Sequence, residues 1–253
     1  MQYTETTLAS TFSDLILNCW KFEVPEGGLP FIHETMPENT LSLVFINQPY
    51  YKGMRLLGPQ TKKFQQQVYP GSVYLGIRFN PWVNFGNLFE DKSTLVNQTT
   101  TLPDCIRENF KELKPSDLSF NFSDYHLIEK GLLRLIARHN LTTDSLTKFI
   151  CLQLESGIKI HELIKEIPLS VRPIQKHFKS VTGITMTNYR NILRLQKTVR
   201  MIYMKKESIT NAAFENGYTD HAHYIHTFRK YMSSTSMKDF FMMTDKISLS
   251  IKN

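Results

Sequence analysis

The chain of 253 residues is 41% hydrophobic and 21% charged, a balance that excludes a disordered or fibrous protein and supplies apolar material for one large core or two smaller ones. No apolar run reaches the length of a membrane span, and the opening MQYTETTLASTFSD has no basic segment leading into an apolar one, so neither a membrane anchor nor a secretory leader is expected. The net charge of +7 is uneven: residues 151–253 hold 16 Lys and Arg against 8 Asp and Glu, residues 1–150 hold 14 against 15, which points the C-terminal part at a polyanion, nucleic acid first and an anionic membrane second.

The first 95 or so residues predict strands. DLILNCWKFEV, LSLVFIN and QQQVYPGSVYLGIRF are rich in Val, Ile, Phe and Tyr and are punctuated by Pro25, Gly27-Gly28 and Pro70-Gly71. From about Leu102 the pattern turns helical. PDCIRENFKEL begins with Pro103 and Asp104, which suit a helix start. SDYHLIEKGLLRLIARHN offers Ser123 and Asp124 as caps and Asn140 as a stop, with Leu127, Leu132, Leu135, Ile136 and His139 close to one stripe. TTDSLTKFICLQLES is a further helix ending near Gly157.

Beyond Gly157 helix follows helix. Ile160, Leu163, Ile164 and Ile167 space a short one. Ser170 is placed to cap the next, whose first turn accommodates Pro173, whose core side holds Ile174 and Phe178, and which Gly183 stops. A long helix from about Met186 to Met204 follows, through Tyr189, Leu193, Val199 and Ile202. The pattern then repeats: Ile209, Ala212 and Ala213 match Ile160, Leu163 and Ile164, Asp220 matches Ser170 as a cap, and Tyr224 and Phe228 match Ile174 and Phe178. Two helix–turn–helix units joined by a long helix account for this repeat.

If Ile174 and Phe178 face a core, Arg172, Gln175, Lys176 and Lys179 lie on the opposite stripe, at i, i+3, i+4 and i+7. Arg and Lys donate to guanine edges and Gln bonds adenine, so the stripe suits a helix lying in a major groove; a solvated charged face is the blander reading. The second unit's stripe is Ala222, Ile225, His226 and Arg229, where Ala and Ile can meet thymine methyls and Ile225 can equally pack against a neighbour. His221, His223 and His226 do not make a metal site: at about 100° per residue, His221 and His223 point to opposite sides of a helix. His223 is expected to pack or bond locally.

GxSxG, P-loop, GxGxxG and HExxH patterns are all missing from the sequence, so no enzyme, catalytic residue, cofactor or metal is expected. Cys19, Cys105 and Cys151 follow no CxxC spacing and are expected to be buried free thiols in a reducing compartment. The methionines are scattered core fillers, with Met242 and Met243 a candidate apolar tail.

LSVRPIQKHFKSVTGITMTNYRNILRLQKTVRMI followed by SITNAAFENGYTDHAHYIHTFRKY resembles the AraC/XylS family of bacterial transcription regulators, over roughly residues 157–241. The pattern is carried by Leu169-Ser170, Ile174, Phe178-Lys179, Gly183, Tyr189 and Arg194-Leu195 in the first unit. In the second it is carried by Ile209, Ala213, Gly217-Tyr218, Asp220, His223-Tyr224 and Phe228-Arg229. The chain departs from the pattern at Thr185-Met186, Ala212, Thr198 and the closing SSTSMKDF. The resemblance implies two recognition helices in successive major grooves, with base contacts from Arg172, Gln175, Lys176, His221, Ala222, Ile225 and His226. Ser170, Lys179, Arg229 and Lys230 are the expected phosphate contacts.

The N-terminal part resembles, more loosely, the β-rich regulatory domain that precedes this DNA-binding domain in many members, VYPGSVYLGIRFNPW being the segment most alike. The expected fold is α+β in two domains. Residues 1–153 form a β-rich (cupin-like or β-sandwich) effector or dimerisation domain with trailing helices, and residues 154–253 an all-α double helix–turn–helix domain. Tyr74, Arg78 and Trp82 are the effector-binding candidates, beside His33 and Glu34, although such residues more often serve structure. The expected partners are promoter or operator DNA, a small-molecule effector, RNA polymerase and a second copy of the chain, in the cytoplasm and away from membranes. A small-molecule-binding or enzymatic β domain with a vestigial helical tail is the alternative.

Overall fold

A computed structural model describes residues 1–89, 91–115 and 122–233; the closing SSTSMKDF, save Ser233, and the tail with Met242 and Met243 lie outside them. In chain order the N-terminal part forms β1 (Gln2–Thr6), β2 (Ile16–Glu23), β3 (Phe31–Thr35), β4 (Leu41–Gln48), β5 (Tyr51–Leu57), β6 (Phe64–Val68), β7 (Val73–Phe79), β8 (Val83–Asn84) and β9 (Thr99–Thr101). The main sheet is antiparallel, in the order β1-β2-β7-β4-β5-β9, and β3 pairs with β6 in a separate ladder.

This sheet is covered on both faces. Leu43 and Phe45 of β4, Leu75 and Ile77 of β7 and Cys19 of β2 face one core, where Ile128, Leu132 and Leu135 of α2 (Phe122–His139) pack with Phe110. Val44, Ile46, Phe22 and Tyr74 face the other side, against Val68 and Phe31 of the ladder. Burial of both faces explains why β4 is a continuous apolar run and does not alternate with polar residues.

After β9 comes the first departure from the expected helices. The segment from Pro103 forms only a short α1 (Asp104–Arg107) and a 3₁₀ turn, Glu108–Phe110. Helix α2 starts ahead of Asp124, which lies in its first turn and is not its cap, and ends at Asn140, whose φ is +51°. Ile128, with Leu132 and Leu135, holds the centre of its buried stripe; Leu127 and Ile136 pack at the margins.

After β10 (Thr142–Thr143), which pairs with β8, the chain is helical: α3 (Ser145–Glu155), α4 (Ile160–Glu166), α5 (Val171–Thr182), α6 (Met186–Met204), α7 (Ile209–Glu215) and α8 (His221–Met232). These helices share one core, with Leu163, Ile174, Phe178, Tyr189, Ile192, Leu195, Val199, Ala213, Tyr224 and Phe228 nearly fully buried. Ile150, Cys151 and Leu154 place α3 in this core too, although a division after residue 153 assigns that helix to the N-terminal part. Cys19 and Cys151 are buried as expected, but Cys105 is exposed at the start of α1. Among the described residues no helix is long and apolar enough to cross a membrane.

Candidate nucleic-acid interface

Each unit places a helix whose inner side is anchored and whose outer side is free. In the first, Ile174 and Phe178 are fully buried on α5, with the Phe178 ring edge-on to Tyr189 at 5.6 Å. Arg172, Gln175, Lys176 and Lys179 are all exposed along the opposite side. Pro173 sits in the first turn, where its missing N–H has no helical acceptor to lose. Gly183 ends the helix at φ +83°. Ser170 occupies the N-cap position but makes no side-chain capping bond, so its exposed hydroxyl is uncommitted by the helix.

In the second unit Asp220 is a working cap: its carboxylate accepts from the backbone N–H of His223 at 2.7 Å, and this bond is the main cause holding its carboxyl below the usual range. Tyr224 and Phe228 are buried beneath it. His221, Ala222, His226, Arg229 and Lys230 are exposed, whereas Ile225 is half-buried and packs against the helical core. The outer face of α8 is thereby less charged and less continuous than that of α5. His223, also exposed, bonds locally at its end of the helix, with Nδ1 3.1 Å from the Thr219 hydroxyl and its ring edge-on to Tyr218. Among the described residues no group of His, Cys, Asp or Glu is arranged to hold a metal.

The connecting helix α6 binds the two units together. Thr185 caps it by accepting from Asn188 N at 3.2 Å, and Met186 is buried, so these two residues still serve a helix start where the chain departs from the family pattern. Thr198 is fully buried and its hydroxyl donates to the Arg194 carbonyl at 2.8 Å. Arg194 reaches the second unit: its Nε donates to the carbonyl of Asn216, which ends α7, and its guanidinium lies 4.1 Å from the centre of the Tyr218 ring.

The three effector candidates do not converge. Arg78 is buried between Glu5 and Glu38, at 2.9 and 2.8 Å. Tyr74 donates to Gln48 Oε1 at 2.9 Å. Trp82 donates from Nε1 to the Asp14 carbonyl at 2.8 Å and belongs to the helical core. Glu34 is ion-paired to Lys63.

A cavity of about 70 Å³ instead lies between the sheet and the β3–β6 ladder, lined by residues including Trp20, Phe22, His33, Ile46, Phe64 and Arg78. His33 and Trp20 each keep a buried ring nitrogen without a partner, and burial holds the His33 imidazole down at about 4, hence neutral. Gly76 is required beside it, since a Cβ there would stand 2.1 Å from Trp20 Nε1. A larger cleft of about 430 Å³, lined by Arg78, Trp82, Tyr189, Lys197 and Arg200 among others, lies between the sheet and α6. Of the cavity's lining, sequence reading singled out only His33 and Arg78, because the others come together through strand register.

Two helices with buried apolar faces and open polar faces, held by one connecting helix, define a duplicated helix–turn–helix protein. A family model described as "Helix-turn-helix domain" matches residues 163–238. The HTH-type transcriptional activator RhaS of Klebsiella pneumoniae (strain 342) is 33% identical over 69 residues, 27% of this chain and 25% of that protein. RhaR of Mannheimia succiniciproducens is 23% identical over 159 residues, 58% of this chain and 57% of that one. Thus the chain spans about a quarter of the first relative's length and just over half of the second's. ToxT from Vibrio cholerae, a solved structure, aligns with 96% of this chain and 99% of its own at 11% identity and a TM-score of 0.48. Over residues 163–238 the helical part is similar to the helix–turn–helix domain of AraC-type transcription regulators.

Proposed function

We propose that the protein is a sequence-specific DNA-binding transcription regulator whose helices α5 and α8 enter successive major grooves on one face of a duplex. The observation that supports this most is the exposure of Arg172, Gln175, Lys176 and Lys179 in one stripe directly opposite the buried Ile174 and Phe178. Arg172, Gln175 and Lys176 then read base edges, and His221, Ala222, Ile225 and His226 read the second groove with fewer hydrogen bonds. Ser170, Lys179, Arg229 and Lys230 hold phosphates. Helix α6 is the spacer, since the two grooves recur about every 34 Å.

The β-rich part is the regulatory half, dimerising or binding an effector. The cavity between sheet and ladder suits a small apolar effector with hydrogen-bonding groups for His33 and Trp20. The packing of α3 in the helical core supports a division between the two halves near Leu141. The protein works in the cytoplasm, on promoter or operator DNA and with RNA polymerase, and carries out no catalysis. Selecting bound duplexes from a random pool with the full chain tests this reading. Recovery of a motif with two separated half-sites supports it; recovery of no motif contradicts it.

A further inference from the structure

Helix α5 is held from outside its own unit at its middle and at its end. At the middle, His177 Nε2 lies 2.9 Å from Asp144 Oδ1, across 33 positions of sequence. Asp144 is not a free surface carboxylate. Its Oδ1 also accepts from the backbone N–H of Thr147 at 2.7 Å, capping α3, and its own backbone N–H donates to the Trp82 carbonyl at 3.0 Å. Trp82 leads directly into β8, which pairs with β10 immediately before Asp144. A short relay thus runs from the β-rich part through Trp82 and Asp144 to the flank of the first recognition helix. Burial pushes the Asp144 carboxyl up, but hydrogen bonds from His177 and Thr147 outweigh it and hold the group below the usual range, so Asp144 stays a charged acceptor.

His177 occupies a telling position on the helix. It follows Lys176 on the candidate reading stripe and precedes Phe178, which is fully buried. Its side chain is 40% exposed, so it contributes little to the core. Phe178 and Ile174 fix how deeply α5 sits on its unit, but apolar contacts resist rotation about the helix axis weakly, because they are non-directional. One directional bond at the helix flank constrains that rotation, and a rotation carries Arg172, Gln175 and Lys176 across the floor of the groove together.

We propose that His177 is a positioning residue for base reading, setting the rotation of the first recognition helix by its bond to Asp144 and so tying that rotation to the β-rich part. The inference rests on the DNA-binding reading above. It adds a residue that touches no DNA and acts through its neighbour, and it makes the Trp82–Asp144 junction the place where a change in the β-rich part reaches the reading stripe.

The test uses the full chain and a duplex recovered by selection from a random pool, with a scrambled duplex alongside. His177→Ala is expected to keep its melting temperature and its affinity for scrambled DNA, and to lose about tenfold on the selected duplex, in line with one hydrogen bond to a charged acceptor. His177→Gln, which still offers a side-chain N–H, restores most of that loss. In an Asp144→Asn background, His177→Ala adds little further loss. If His177→Ala weakens both duplexes equally, or if the glutamine variant fails to rescue, or if selectivity is unchanged, the positioning role is overturned. These outcomes are separable from failure of the underlying reading, in which the unmodified chain itself does not distinguish the two duplexes.

Discussion

Gly183 stands with its Cα against the Lys92 carbonyl: a Cβ built there would lie 2.9 Å from that oxygen and 3.2 Å from its carbon. The contact joins the C-terminal end of the first recognition helix to the 3₁₀ turn Lys92–Leu95 of the β-rich part. Glycine is required twice over, since the residue also adopts φ +83° to end α5. The stop signal visible in the sequence is therefore also a point where the two parts of the molecule touch.

Gly183→Ala should cost about 2 kcal/mol or more, because the left-handed backbone is unfavourable to alanine and the Lys92 carbonyl must give way. Denaturant unfolding of the full chain checks it. An unchanged midpoint would show that the two parts separate readily at this contact.

Phe178→Ala should cost about 3–5 kcal/mol, by the cavity it leaves beneath α5 and beside Tyr189. It should also abolish DNA binding, because the helix loses its seat. Thermal unfolding and a mobility-shift titration on the same preparation measure both effects. Full DNA binding by this variant would place the reading surface elsewhere.

Arg172→Ala and Lys179→Ala separate base reading from phosphate contact. The first should weaken selected DNA by on the order of 1–3 kcal/mol and relax selectivity at one position. Equal weakening on random DNA would remove it from the base readers. The second should weaken both kinds of DNA and lower the slope of affinity against salt by about one. Asp91 of the β-rich part lies near enough for the Lys179 charge to help hold its carboxyl low, behind the larger effect of its bonds to Ser93.

Lys92 supplies a pH prediction. Its ammonium is buried, bonded to the Val83 carbonyl and 4.7 Å from the centre of the Phe85 ring, and burial holds it down at about 7, against an ordinary 10.5. Between those values the unfolded chain carries a proton that the folded chain has released. Stability therefore rises with pH across this window, by at most about 1.4 kcal/mol per unit, and is lowest below about pH 7. Lys92→Met should be stabilising near neutrality and flatten the rise. Melting temperatures of both chains from about pH 7 to 8.5, where Cys151, pushed up to about 12 by burial, stays a thiol, compare them cleanly. Parallel curves would contradict the assignment.

Much of the helical half was legible because its constraints are local. Asp220, Tyr224 and Phe228 are a cap and two buried residues at helical spacing, and the same pattern 50 residues earlier identified the first unit. Ser170 shows the limit of that reading: its position was legible, its unmade capping bond was not. The strands were legible from their apolar runs, but their faces were not, since β4 is buried on both sides. Nothing in the sequence joins His177 to Asp144, Gly183 to Lys92 or His33 to Trp20, because each pair depends on how distant elements stack. Tyr74, Arg78 and Trp82 illustrate the same gap: they share a segment, yet Tyr74 packs between the sheet and the ladder while Arg78 and Trp82 border the cleft beside α6.

The central claim is that α5 and α8 read two major grooves together. Hydroxyl-radical footprinting and methylation interference with the full chain on its selected duplex measure this directly. The account predicts two major-groove contact patches on one face of the DNA, about one helical turn or ~34 Å apart, with the patch under α5 lost when Arg172, Gln175 and Lys176 are replaced together by alanine. A single patch, or two patches that both survive that replacement, would contradict it.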